Sequence, residues 1–214
     1  MKKITILFDL DGTLIDSTEA ILESFDFAFK KFGLKTPEKK EILKLIGHPL
    51  DFMFLHLGIK ENIKEFVDAY KENYRTVSKE KTVLLPNAKE AIKEASKFAV
   101  LGVVTTKTGL YSKELLKHFG VMKFFECLIG REDVIYPKPH PEPILKALHK
   151  LNANKDHTWM IGDTCLDIDS AQRAGIKGVA VLSGYGYFKT LQRCSEFIKK
   201  DSLEAVNIIK KIGK

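Results

Sequence analysis

Ile4-Thr5-Ile6-Leu7-Phe8-Asp9-Leu10 is an apolar run that ends in acid, and Asp11-Gly12-Thr13 breaks it. A run that is apolar at nearly every position has both of its faces buried, as in a parallel strand covered by helices on either side. Four more segments have this character or a shorter version of it: Val100–Thr105 (VLGVVT), Cys127–Ile129, Thr158–Ile161 (TWMI) and Val179–Leu182. Helical patterns lie between them. Leu115, Leu116 and Phe119 mark one that Gly120 stops, Ile144, Leu145 and Leu148 one opened by Pro141, and Ile168–Ala174 one ended by Gly175. Asn87 with Glu90, and Asp201 with Glu204, have the spacing of capping boxes. Strands alternating with helices predict a doubly wound, Rossmann-like α/β core built on a parallel sheet.

Residues 15–82 interrupt that alternation. Asp16 and Glu19 suit a capping box, Ile21, Phe25, Ala28, Phe29 and Phe32 recur at helical spacing up to Gly33, Ile42–Ile46 closes at Gly47, and Ile63, Phe66, Val67, Tyr70 and Tyr74 form another stripe. No strand is expected here. The stretch reads as a helical insert after the first strand, with 1–14 and 83–214 forming the core. The phenylalanine stripe reads as packing.

Composition bounds the partners. A chain of 214 residues, 44% hydrophobic and 29% charged, suits a soluble globular protein with a core of its own. The net charge of +7 comes from lysines scattered in short pairs such as Lys30-Lys31 and Lys39-Lys40, which predicts a solvated surface and no nucleic-acid stripe. No run reaches the roughly 18 apolar residues of a membrane span. Met1-Lys2-Lys3 leads into the first strand without the pattern of a signal peptide. Cys127, Cys165 and Cys194 show no CxxC or metal spacing, which favours a reducing compartment, so the cytoplasm is the expected location.

In an open α/β sheet, ligands bind beyond the carboxyl ends of the strands. Those ends carry Asp9 and Asp11, Thr105 and Thr106, and Asp163 with Asp167, while Lys138 lies in a Pro-rich loop. A carboxylate can act as nucleophile and a second carboxyl as general acid and base. A hydroxyl and an ammonium can hold phosphoryl oxygens, and several acids in one place call for a cation, for which magnesium's preference for carboxylate and phosphate oxygen is suited.

Asp9-Leu10-Asp11-Gly12-Thr13-Leu14, Val103-Val104-Thr105, Lys138-Pro139 and Gly162-Asp163-Thr164 with Asp167 resemble, in order, the four motifs of the haloacid-dehalogenase-like hydrolase superfamily. The resemblance spans most of the core, and the helical insert of residues 15–82 resembles the helical cap that the family places between the first two motifs. It implies Asp9 as nucleophile and metal ligand, and Asp11 as general acid and base with its carbonyl on the metal. It implies that Thr105 and the N–H of Thr106 bind phosphate and that Gly12 permits the tight backbone there. Lys138 would orient Asp9, Asp163 would ligate Mg2+, and Asp167 would support it from behind. Dehalogenases of the superfamily lack an acid at the position of Asp11, so its presence favours phosphoryl chemistry. Many relatives carry Asn where this chain has Thr106. Ile46-Gly47-His48-Pro49-Leu50, Lys138–Pro143 and Gly184-Tyr185-Gly186 are similar to the phosphoglycolate-phosphatase-like branch, with His48 a candidate substrate contact and Tyr185 a candidate for the entrance. His140 and Cys165 read as structural neighbours.

The expected activity is therefore Mg2+-dependent hydrolysis of a small phosphorylated metabolite such as phosphoglycolate, by a monomer or homodimer. Pyrophosphate, nucleoside monophosphates and sugar phosphates are the rival substrates, and a mutase would use the same intermediate. A signalling receiver domain also combines Asp, Thr, Lys and Mg2+, but its acceptor aspartate carries no second Asp two residues on. A basic nucleic-acid binder would bind independently of Asp9.

Overall fold

Each apolar run forms a strand, and these strands join one parallel sheet. The computed structural model describes residues 4–213; residues 1–3, read above as lying outside any signal peptide, and residue 214 fall outside it. In chain order the elements are β1 (Ile4–Phe8), β2 (Ile15–Asp16), α1 (Thr18–Lys31), α2 (Lys39–Leu43), α3 (Leu50–His56), α4 (Ile63–Val77), β3 (Val83–Leu84), α5 (Ala88–Ser96), β4 (Ala99–Val104), α6 (Gly109–His118), β5 (Phe125–Ile129), α7 (Glu142–Leu151), β6 (Thr158–Gly162), α8 (Cys165–Ala174), β7 (Lys177–Val181), α9 (Phe188–Leu191), β8 (Phe197–Lys199) and α10 (Ser202–Ile212). The main sheet has the order β5-β4-β1-β6-β7-β8, and every pairing in it is parallel.

The pleat explains why β1 is apolar on both faces. Ile6 and Phe8 point into a cluster with Ala91 and Ile92 of α5 and Val206 and Ile209 of α10. Leu7 points the other way, against Ile144 and Leu148 of α7 and Ala171 of α8. Every residue of β4 and β6 is buried as well. From β1 the chain runs to β4 and β5 on one side, then crosses back to β6, β7 and β8 on the other. The crevice where direction reverses opens at the carboxyl ends of β4, β1 and β6.

The helical stretch has its own core. Phe25 and Phe29 of α1, Phe54 of α3 and Phe66 and Tyr70 of α4 are buried together, with ring centroids of 4.8 Å for Phe25–Phe54 and 5.0 Å for Phe25–Tyr70. Phe32 is 41% exposed and stacks on Phe66 at the margin of this core. The chain leaves the sheet through β2 and returns through β3, and these pair antiparallel, Ile15 with Leu84 and Asp16 with Val83. That ribbon corrects the expectation of no strand in this stretch. Two-residue strands have no periodicity of their own and form because a distant segment supplies their hydrogen bonds.

Other local readings also change. Asp16 and Glu19 make no capping box. Asp16 accepts the Thr18 N–H at 2.9 Å, Ser17 occupies the cap, and Glu19 pairs with Lys81. Asn87 is left-handed and gives its amide to Asp201, so it does not cap α5. Asp201 does cap α10, accepting the Leu203 and Glu204 N–H groups at 3.0 Å each. Leu145 is 38% exposed and not inward-facing. Cys165 and Cys194 form a disulfide joining the start of α8 to the turn after α9, while Cys127 is buried and free. The pair removes the argument for a reducing compartment from cysteine spacing, because tertiary contact brings together residues 29 apart. Among the described residues, no helix is long and apolar enough to cross a membrane.

Candidate active site

Asp9 follows directly on β1, and its N–H donates to the Ile161 carbonyl at 2.9 Å, so the sheet ladder continues through the residue that carries the carboxylate. Phe8 is level with Val103 on one side and Ile161 on the other. Hence Asp9, Thr105 and Asp163 stand at one edge, and all three are buried. Carboxylate oxygens of Asp9, Asp163 and Asp167 lie within 4.8 Å of one another.

Lys138 reaches this cluster from the loop before α7. Its Nζ stands 2.8 Å from Asp9 Oδ1, donates to the Val104 carbonyl at 3.0 Å, and bonds Asp167 Oδ1 in a very short contact. Burial works against its charge, but Asp167 and Asp9 outweigh burial and hold the ammonium protonated. Asp167 is fully committed: its other oxygen accepts the N–H and hydroxyl of Thr164 at 3.1 and 2.8 Å. It fixes Lys138 and the start of α8.

Asp163 accepts the Thr13 hydroxyl at 3.2 Å and the Tyr185 N–H at 2.8 Å. Gly12 and Gly184 press on the same carboxylate. A Cβ on Gly12, whose φ is +80°, would stand 2.4 Å from Asp163 Oδ2, and one on Gly184 would stand 2.2 Å away. Only glycine tolerates both the left-handed backbone and the close approach. We expect Gly12→Ala to displace Asp163 and lower turnover by about 100-fold while costing about 1–2 kcal/mol of stability. Parallel kinetic and thermal-melt measurements check this, and turnover within threefold of wild type contradicts it.

The cluster is short of positive charge. Three acids face one lysine, and Asp9 Oδ1 is buried without an aligned hydrogen bond despite the ammonium nearby. Burial, with Asp167 and Asp11 close by, lifts the Asp9 carboxyl to about 7 against the pull of Lys138. Burial, and then Asp167 and Asp9, push the Asp163 carboxyl well upward too. An all-oxygen donor set with surplus negative charge fits a hard divalent cation held by Asp9 and Asp163.

Asp11 points away from the cluster, toward the helical stretch. Ser17 Oγ donates to Asp11 Oδ1 in a very short contact, and Lys107 Nζ sits 2.9 Å from Oδ2. Lys107 keeps its charge although burial opposes it, because Asp11 and then Tyr74 and Tyr70 favour the cation. Beyond Asp11 lies a cavity of about 470 Å3 lined by residues of both parts, among them Thr106, Lys107, Tyr70, Tyr74 and His48. Thr106 donates its hydroxyl to the Gly47 carbonyl at 2.8 Å and ties the two parts together. His48 is half-buried against Phe52 at the cavity wall. The Tyr185 side chain bonds Thr18, and His140 accepts the Glu142 N–H.

Residues 6–181 match the family model of the haloacid dehalogenase-like hydrolases. The chain belongs to that family. As a haloacid dehalogenase-like hydrolase of the phosphatase kind, it is 34% identical over 209 residues to pyrophosphatase PpaX of Oceanobacillus iheyensis, covering 96% of both chains. It is also 34% identical to pyrophosphatase PpaX of Bacillus mycoides, covering 88% of this chain and 89% of the relative. Among solved structures, a haloacid dehalogenase-like family hydrolase from Streptococcus pneumoniae superposes with a TM-score of 0.87 at 29% identity, over 96% of this chain and 98% of that one. A predicted phosphoglycolate phosphatase from Haemophilus somnus superposes at 0.85 with 25% identity, over 97% and 98%.

The structure brings Asp9, Thr105, Lys138, Asp163 and Asp167 together as the motifs imply, with Asp11 and His48 on the cavity side. The sequence reading missed Ser17, Thr13 and Lys107. Lys107 directly follows the Thr105-Thr106 strand end, and that adjacency was the available signal.

Proposed function

We propose that this hydrolase is a magnesium-dependent phosphatase that transfers a phosphoryl group to Asp9 and then to water. The arrangement of Asp9 and Asp11 carries the reading: one carboxylate is fixed by Lys138 beside a cation-seeking cluster, and the second faces the cavity from which a substrate would enter. Asp9 and Asp163, with the carbonyl of Asp11, would hold Mg2+. When bound, the ion would neutralise the crowded acids and draw charge from the phosphoryl oxygens.

An Asp9 oxygen bonds to phosphorus as the bond to the leaving oxygen breaks, and Asp11 delivers a proton to that oxygen. The Thr105 hydroxyl, the Thr106 N–H and Lys138 hold the phosphoryl oxygens, where charge sits in the transition state. Asp11, now a base, takes a proton from water as it attacks phosphorus, and Asp9 leaves as carboxylate with inorganic phosphate released.

The substrate we propose first is pyrophosphate, favoured by near-full-length relatives that carry the name pyrophosphatase. The second is phosphoglycolate, favoured by the cap-loop sequence around His48 and by the Haemophilus somnus structure. Both are small, and both carry a second anionic group. A panel of pyrophosphate, phosphoglycolate, AMP and glucose 6-phosphate with Mg2+ tests this by phosphate release. Phosphate retained on the sugar, or equal turnover in EDTA, refutes it.

Burial of Asp9 makes metal binding proton-linked. Burial lifts its carboxyl to about 7 in the folded chain, against 3.8 for a solvated aspartate. The metal-free fold therefore binds the proton more tightly than the unfolded chain does, and its stability falls as pH rises from about 4 to 7. Mg2+ must displace that proton, so its affinity drops about tenfold for each pH unit below 7. We expect the Tm in EDTA to decline from pH 5 to pH 7 and the Mg2+ Kd from calorimetry to tighten over the same interval. A Tm in EDTA that climbs there contradicts the assignment.

A further inference from the structure

Lys107 is largely enclosed, with only 9% of its side chain exposed, and its ammonium has a single oxygen partner among the described residues, Asp11 Oδ2 at 2.9 Å. An ammonium carries three donors. The face of Tyr74 from α4 covers one side of it, with the ring centroid 4.5 Å from Nζ. That leaves donor capacity directed into the cavity. The backbone on either side is held, since the Lys107 N–H donates to Thr105 Oγ1 at 3.2 Å and its carbonyl accepts the Arg131 N–H at 3.0 Å.

We propose that Lys107 is the specificity residue for a second anionic group on the substrate, an oxyacid attached close to the leaving oxygen. The inference rests on the phosphatase reading above and deepens it. The leaving oxygen must lie against the Asp11 carboxyl to receive its proton, and Lys107 Nζ lies against that same carboxyl. Whatever is bonded to the leaving oxygen therefore meets Lys107 first. The distal phosphate of pyrophosphate and the carboxylate of phosphoglycolate are both close enough to the leaving oxygen to reach it.

The surroundings favour an anion over a neutral group. Tyr70 and Tyr74 form an apolar wall, so a charge-assisted hydrogen bond there is poorly screened. Lys64, Lys71 and Arg131 also line the cavity, and with Lys107 they outnumber its acids Asp11, Asp51 and Glu132. Arg131 is committed elsewhere, with Nη1 on the Val134 carbonyl at 3.1 Å and Nη2 3.8 Å from Asp51. Lys107 alone among these cations is placed on the reacting side. It also bridges the two parts of the molecule, since Asp11 belongs to the loop after β1 and Tyr74 to α4.

The test compares pyrophosphate and phosphoglycolate with ethyl phosphate, which has no second anion, for the wild-type Mg2+ enzyme, Lys107→Met and Lys107→Arg. Wild type is expected to favour at least one of the two anionic substrates over ethyl phosphate by about 100-fold in kcat/KM. In Lys107→Met that ratio falls about 30-fold, mainly through KM, and Lys107→Arg restores most of it. If Lys107→Met slows ethyl phosphate as much as the anionic substrates, the lysine merely positions Asp11 and the proposal is overturned. A wild-type enzyme that does not discriminate the substrates overturns it without any variant, so misfolding of Lys107→Met cannot shield it. Ethyl phosphate turnover that is lost in Asp9→Asn shows in the same assay that the phosphatase reading stands, which separates its failure from that of Lys107. The two anionic arms report which oxyacid the site prefers.

Discussion

Asp9→Asn is expected to lower turnover by more than about 10,000-fold and to abolish the phosphoenzyme. An amide oxygen lacks the charge to displace a leaving oxygen from phosphorus, and no other carboxylate stands where it could substitute. Asp163 is held by Thr13 and Tyr185, Asp167 is consumed by Lys138 and Thr164, and Asp11 points to the cavity. The fold should survive. Asp9 is one of three buried acids around a single lysine, and its carboxyl already lies at about 7 through burial. Taking one acid away relieves that excess, so the Tm in EDTA should equal or exceed that of wild type. Acid-quenched labelling with a radioactive phosphoryl donor checks the intermediate. Activity above about 1% of wild type, with label retained, would transfer the nucleophile's role to another residue.

Asp11→Asn is expected to cost about 100- to 10,000-fold in kcat, the range for losing a positioned acid and base. Its side chain holds no position in the acid cluster, and its proposed tie to the metal is a backbone carbonyl, so the Mg2+ Kd should change little. The two chemical steps can be separated by leaving group. p-Nitrophenolate departs without a proton, so phosphorylation of Asp9 recovers in part with p-nitrophenyl phosphate, while attack by water still lacks its base. The variant should then show a burst of one p-nitrophenol per enzyme followed by slow turnover. Wild type, with both steps served, should show no such burst. Loss of Mg2+ binding in parallel with activity would place Asp11 in the metal site instead and sink the acid–base role.

Much of the fold was legible because parallel strands buried on both faces show as unbroken apolar runs. β1, β4, β6 and β7 were located this way, and the acids, threonines and lysine of the site sit at the ends of such runs or in the loop after one. The helical stretch was legible from the 3.6-residue recurrence of Phe25, Phe29, Phe66 and Tyr70. Capping was read poorly at two of three places. Asp16 and Asn87 have the right spacing, but Ser17 sits at the first cap and Asp201 draws away the Asn87 amide, and neither alternative is visible locally.

The sequence by itself determined which backbone segments must be buried and which chemical groups stand at their carboxyl ends, because burial period and strand direction are local properties of the chain. Tertiary structure decided which groups touch. It set Lys107 on Asp11 beneath Tyr74, closed Gly12 and Gly184 on Asp163, paired Cys165 with Cys194, and made strands of two residues at Ile15 and Val83. Contacts of this kind join residues far apart in the chain, such as Thr13 and Asp163, 150 positions apart. They depend on how sheet and helices pack in three dimensions, and no periodicity along the chain records that.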